Sequence, residues 1–207
     1  MKIDLKNIRY SASLSEETNA FTADVYIDGA KAAIAANRGH GASTDIAPLS
    51  EESRDLIARA EQWCKTLPPD KLELNGEEVS FPVNLESYID ALIDDYVNDK
   101  NLKSFRRKMA KAAETGIIFG IADKSYRACQ FSKPIALLIQ SESGRIALKN
   151  TLVNTILPKM EAGEQILNTN IPLAILKAAG LKEDQYPQPL PDEKSLKTAG
   201  KRQRKGL

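Results

Sequence analysis

The sequence predicts an α+β protein in which small antiparallel sheets pack against amphipathic helices, and three observations carry that prediction. Phe21, Ala23, Val25 and Ile27 alternate strictly with Thr22, Asp24, Tyr26 and Asp28, the period of a half-buried strand. Asp28-Gly29 and Asn75-Gly76 are dipeptides that tight hairpin turns favour, because both central positions need positive φ. Apolar residues recur at helical spacing from Leu56 to Leu67 and again from Leu85 to Val97. Helices laid over one face of each sheet complete the architecture.

The elements follow in order. Ile3, Leu5, Ile8 and Tyr10 are spaced for a strand with an irregularity near Asn7, and Lys31 to Asn37 reads as the third strand of an N-terminal three-stranded sheet that ends at Gly39-His40-Gly41. Ser50 is placed to cap a helix, with Glu51 and Glu52 where negative charge suits the helix dipole and Pro68-Pro69 as its stop. "KLELNGEEVSFPV" reads as a short hairpin. From Asn84 a long amphipathic helix carries Leu85, Tyr88, Ile89, Leu92, Ile93, Tyr96 and Val97 on one stripe. A further hairpin, "GIIFGIADKSYRACQF", turns at Asp123 and Lys124; Pro134 opens another helix with Ser132 as its cap, and Ser143-Gly144 marks a break. Helical spacing extends to Pro158, and Ile171 to Ala179 forms a short helix. The expected organisation is a strand-rich lobe at 1–80, a helix-hairpin-helix lobe at 81–180 and a flexible basic tail at 181–207, where "YPQPLPDEKSLKTAGKRQRKGL" is poor in apolar residues.

Composition narrows the function classes. At 207 residues, 42% hydrophobic and 28% charged, the chain has ordinary globular usage and supports its own core. No run approaches the roughly 18 apolar residues of a membrane-spanning helix, and "MKIDLKNIRY" lacks the apolar stretch of a signal peptide, so the expectation is a cytoplasmic protein with no membrane contact. Cys64 and Cys129 are expected as two buried, reduced thiols. With one histidine and no CxxC, zinc-site spacings are absent, and neither GxxxxGK[ST] nor GxGxxG occurs, so no metal and no cofactor is expected. Any catalytic unit that needs an imidazole must use His40.

Two candidate sites remain. Lys100, Lys103, Arg106, Arg107, Lys108 and Lys111 form a run on the long helix with no acid among them, directly after Asp90, Asp94, Asp95 and Asp99. Clustered cations on a helix attract phosphate backbones by counterion release, and Phe105 is available to stack or to pack. Lys201, Arg202, Arg204 and Lys205 repeat the charge near the end of the chain. The plain alternative is a solvated face whose cations pair with the preceding aspartates. At the glycine-rich turn, Arg38, Gly39, His40, Gly41, Ser43 and Thr44 offer charge, hydroxyls and accessible amides for an anionic ligand such as a nucleotide. There the plain alternative is a connection whose glycines only supply unusual φ.

"FTADVYIDGAKAAIAANRGHGASTDI" and "LPKMEAGEQILNTNI" together resemble an uncharacterised group of small bacteriophage and prophage accessory proteins that open with a hairpin and a glycine-rich turn. The likeness spans about the first 46 residues and Leu157 to Asn170, and Ala42 and Ser43 depart from it where glycine or cysteine is expected. It implies a mobile-element origin and an accessory role toward host nucleic acid or host defence. The leading expectation is therefore a non-enzymatic protein that engages nucleic acid or a host nucleoprotein through the basic helix. The alternatives are a nucleotide-binding or sequestering protein built on the turn and, third, a hydrolase with His40 as its base. An exposed apolar patch would instead indicate a protein partner or a homodimer.

Overall fold

The computed structural model describes residues 1–74 and 76–188, and the chain divides into two compact units, Met1–Asn101 and Leu102–Leu207. The architecture is α+β, with small antiparallel sheets and helices in both units.

In the first unit, β1 (Ile3–Tyr10), β2 (Phe21–Ile27), β3 (Ala30–Asn37) and β4 (Asp45–Pro48) form an antiparallel sheet in the order β1-β2-β3-β4. The β1–β2 register shifts between Lys6 and Arg9, where Asn7 takes φ 52° and donates to Asp24. Asparagine tolerates that left-handed conformation, so the expected irregularity is a bulge. Asp28 and Gly29 have φ 48° and 88°, as a type I′ turn requires. β4 makes the sheet four-stranded where three strands were expected, pairing with Ala33 to Ala36 of β3. The strictly alternating residues of β2 bury Phe21, Ala23, Val25 and Ile27 against helix α1 (Glu51–Cys64) and the first half of α2 (Leu85–Thr115). Ser50 caps α1 by accepting the Ser53 N–H, and Asn84 does the same for α2 through Ser87. Leu85, Ile89, Ile93 and Val97, four residues apart, complete the core, and Trp63 meets Tyr88 edge to face at 5.6 Å. The hairpin β5 (Asp70–Leu74) and β6 (Glu77–Phe81) forms as expected, with Gly76 at φ 85°; Leu72 and Phe81 stay exposed on it. Asn75 lies outside the described residues.

In the second unit, β7 (Gly116–Ile121) runs between β8 (Ser125–Gln130) and the two-residue β9 (Gln165–Ile166). Ile117, Ile118 and Phe119 are all buried, so β7 reads as a continuous apolar run rather than an alternation. α3 (Ile135–Leu138), α4 (Glu142–Thr151), a π-helical stretch at Leu152–Ile156 and α5 (Leu173–Ala178) close the core around Ile135, Leu148, Leu152, Ile156 and Leu176.

Several expectations are corrected. The division falls between Asn101 and Leu102, inside α2, and not near residue 80, because the apolar stripe from Leu85 to Val97 belongs to the first core. The flexible tail does not begin at 181. Leu181 and Tyr186 are buried in the second core, with a 3-10 turn at Glu183–Gln185 between them. Ser132 does not cap α3, whose N-terminal position is Pro134. Gly144 sits inside α4 rather than breaking it, since a Cβ there would collide with the Leu138 carbonyl and Ser141 provides the cap. Cys64 is buried, and burial pushes its thiol up; Cys129, on the sheet edge, is only partly covered. Among the described residues, no helix is long and apolar enough to cross a membrane.

Candidate nucleic-acid interface

The second half of α2 stands on β8 and is pinned there by four kinds of contact. Phe105 meets Tyr126 edge to face at 5.4 Å, so this ring is packed and not free to stack on a base. Arg106 reaches Asp123, at the tip of the β7–β8 turn, with two hydrogen bonds of 2.8 and 2.6 Å. That guanidinium holds the Asp123 carboxyl below its ordinary value. Thr115 donates to Gln130 Oε1, and its carbonyl accepts the Phe131 N–H. The Ala113 carbonyl accepts Asn170 Nδ2; Asn170 Oδ1 in turn accepts from the buried Asn168, whose own Oδ1 takes the Ile118 N–H and whose Nδ2 also donates to the Gly116 carbonyl. Asn168 thereby bonds two backbone groups of β7, and through Asn170 the strand is tied to the helix end.

At about 100° per residue, Leu102, Phe105, Met109 and Ala112 form the half-buried stripe on the helix, and Lys103, Arg107 and Lys111 recur on the opposite face. Lys108 lies to one side of that face. Arg107, Lys108 and Lys111 are exposed and have no ion pair among the described residues, whereas Lys103 and Arg106 interact within the protein. Lys100, in the first unit, lies 5.4 Å from the Tyr10 ring centroid in a cation–π contact. The six cations of the run therefore divide: three are free, Arg106 is diverted, and Lys100 and Lys103 are engaged. Dipole compensation does not account for them, because no basic residue occupies the last turn of α2. The cations at Lys201, Arg202, Arg204 and Lys205 lie outside the described residues.

The glycine-rich turn is arranged differently from the anion cradle that its composition suggested. The Gly39 N–H donates to Asn37 Oδ1 and the Gly41 N–H to Thr18 Oγ1, so both amides are already used. Asn37 Nδ2 donates to the Ala42 carbonyl and to Thr44 Oγ1, and the Thr44 hydroxyl donates to Asp90 at 2.6 Å. The Thr44 N–H goes to Glu86. Burial pushes the Asp90 carboxyl up, against the Thr44 hydrogen bond that lowers it, and the charges of Glu86 and Asp94 add to the rise. A cleft of about 450 Å³ on this side is lined by Glu16, Glu17, Asp90 and Asp94 together with Tyr10 and Thr18, surroundings that repel an anion. Ser43 is exposed beside it. His40 Nδ1 lies 3.2 Å from Glu16; among the described residues no hydroxyl or thiol hydrogen-bonds to the ring, so no nucleophile accompanies it. Among the described residues, no cluster of three or more histidine, cysteine or acidic side chains is placed to hold a metal ion.

Charge follows the two units. The first carries ten cationic and nineteen acidic side chains, formally −9; the second carries nineteen and nine, formally +10. A whole-chain net charge of +1 conceals this, and the signal becomes readable only when the boundary inside α2 is known. No family model matches the chain, and neither a curated protein nor a solved structure does.

Proposed function

We propose that the second unit binds nucleic acid through the outer face of α2, making backbone contacts that do not depend on base sequence. The observation that carries this reading is the set of exposed cations Arg107, Lys108 and Lys111, without an ion pair among the described residues and presented by a helix segment whose other side is fixed to the β7–β8 hairpin, in a unit of formal charge +10. Cations held on a rigid base lose little freedom when they meet phosphates, and their affinity derives from released counterions. Base readout has no support, because Phe105 is packed against Tyr126. In the phage accessory setting that the sequence resemblance implies, the polyanion is host nucleic acid or a host nucleoprotein, and the role is binding rather than catalysis.

Fluorescence anisotropy of labelled duplex DNA and single-stranded RNA, titrated with the full chain from low to physiological salt, tests the reading. Three phosphate contacts predict a log–log salt slope of about −2 to −3 on duplex DNA. No detectable affinity for either polymer at low salt would overturn it.

A further inference from the structure

Beside the glycine-rich turn, the first unit holds a further cavity of about 410 Å³ whose lining shares only Asn37 with the acidic cleft. Leu14, Ala20 and Phe21 make its wall apolar, Arg9 and Arg38 supply cations, and His40 stands beside them. Ala20 and Phe21, the latter the first residue of β2, are buried, while Leu14 is 56% exposed, a large apolar side chain left uncovered at the cavity edge. No carboxylate lines this cavity, although the unit around it has nineteen acidic side chains.

Neither arginine has an ion pair or hydrogen bond with another described side chain. Glu16 is held by His40 Nδ1, and Asp24, whose charge Arg9 senses, is bound by Asn7 and Lys31. In a unit where acids outnumber cations almost two to one, two guanidinium groups left without carboxylates at the same apolar cavity are an arrangement that awaits an anion. Guanidinium is weakly hydrated and takes carboxylate or phosphate oxygens in pairs, so it suits a contact at the mouth of an apolar space. The turn beside the cavity is tied down by its own hydrogen bonds. The Gly39 carbonyl accepts the N–H groups of Glu16 and Glu17, the Gly39 N–H is held by Asn37, and a Cβ at Gly39 would strike the Leu14 carbonyl.

We infer that this cavity binds a small organic anion: a carboxylate or phosphate ester carried on an aromatic or short acyl body. The anionic group meets Arg9 and Arg38, and the body lies against Leu14, Ala20 and Phe21. The volume is within the range of small-molecule sites. A long polyanion is excluded, because the surrounding unit is formally −9 and repels extended negative charge, whereas a single anion is held by contacts much shorter than the screening length. The site differs from an anion cradle of backbone amides, since the Gly39 and Gly41 amides are consumed and the selective feature is the apolar wall.

The probes are anilinonaphthalene sulfonate and its uncharged parent, phenylnaphthylamine, whose fluorescence rises on burial, titrated into the full chain. Saturable one-site binding of the sulfonate is expected. Arg9→Gln with Arg38→Gln should weaken it at least tenfold while changing the uncharged probe less than twofold, and Leu14→Ser should weaken both at least threefold. All three positions are exposed, and a circular-dichroism melt confirms folding. Displacement of the sulfonate by octanoate or by phenyl phosphate identifies the preferred headgroup and supports the site; displacement by neither overturns it. The inference also falls if binding is not saturable, if the double arginine variant binds the sulfonate normally, or if Arg107→Gln with Lys111→Gln abolishes binding instead. Nucleic-acid affinity should be unchanged in the Arg9 and Arg38 variant, so this site and the α2 interface fail or stand separately.

Discussion

In residues 1–101 the acidic side chains work as internal hydrogen-bond acceptors: Glu61 takes the Leu85 N–H at the start of α2, Glu86 the Thr44 N–H, Asp90 the Thr44 hydroxyl, and Asp94 the Asn19 amide. In residues 102–207 the cations are used otherwise. Arg106 and Arg127 hold Asp123 and Glu164, but Arg107, Lys108 and Lys111 stand in solvent without an ion pair among the described residues. One helix runs through both regions, and its character changes where the packing changes. The lesson is that a charge count has two meanings. Much of the first unit's acidity is part of its own construction, whereas Arg107, Lys108 and Lys111 take part in no ion pair among the described residues of the second.

The two units share one device, a buried asparagine that satisfies backbone groups, of its own turn for Asn37 and of β7 for Asn168, and it gives the largest expected effect. Asn168→Ala orphans the Ile118 N–H and the Gly116 carbonyl inside the core, at about 1–3 kcal/mol each, so urea unfolding should show a loss of about 2–6 kcal/mol. Asn37→Ala removes partners that lie nearer solvent and should cost about 1–3 kcal/mol. Hydrogen exchange should place the first loss in β7 and the second around residues 37–44; simultaneous opening of both regions by either variant would break the separation of the units.

Next in size is affinity. Neutralising Arg107, Lys108 and Lys111 together to glutamine should lower duplex-DNA affinity about thirtyfold at low salt and flatten the salt slope by about 2 to 3. Arg106→Gln should do much less, because that side chain is committed to Asp123; equal losses from both variants in anisotropy titrations would show that the cations act only as bulk charge. The smallest effect concerns Asp90. Its raised value means that the folded state keeps this proton to higher pH than the unfolded chain does. The stability from this group is complete below the ordinary carboxylate range and is lost as pH rises through the raised value. Asp90→Asn leaves the Thr44 hydroxyl an acceptor and removes that loss, so melts from about pH 4 to 7 should show a shallower decline in the variant than in the parent.

Much of the fold was legible for local reasons. β2 alternates, Asp28-Gly29 requires positive φ, Ser50 caps α1, and the stripe from Leu85 to Val97 repeats at helical spacing. β4 and β9 were not, because Asp45–Pro48 and Gln165–Ile166 are too short to carry a period and exist through backbone pairing with β3 and β7. The tail was misjudged where Leu181 and Tyr186 pack, since two isolated apolar residues have no periodicity. At the candidate interface the run of cations was visible, but the diversion of Arg106 to a residue seventeen positions away and the packing of Phe105 on Tyr126 were not. The turn illustrates the same limit: its glycines were plain, while Thr18, Glu16 and Asp90, which occupy its donors and its histidine, come from elsewhere in the chain.

The sequence by itself determined which segments become strands and helices, where they turn, and that cations gather on one stretch of helix. Those properties follow from φ preferences, capping groups and apolar periods acting over a few residues. Only the tertiary structure decided which cations remain free, where α2 passes from one unit to the other, and that Arg9 and Arg38 line one apolar cavity. These depend on which distant partners neutralise a charge or fill a space, and the energy of a charge or a donor is set by the groups it faces rather than by its neighbours along the chain.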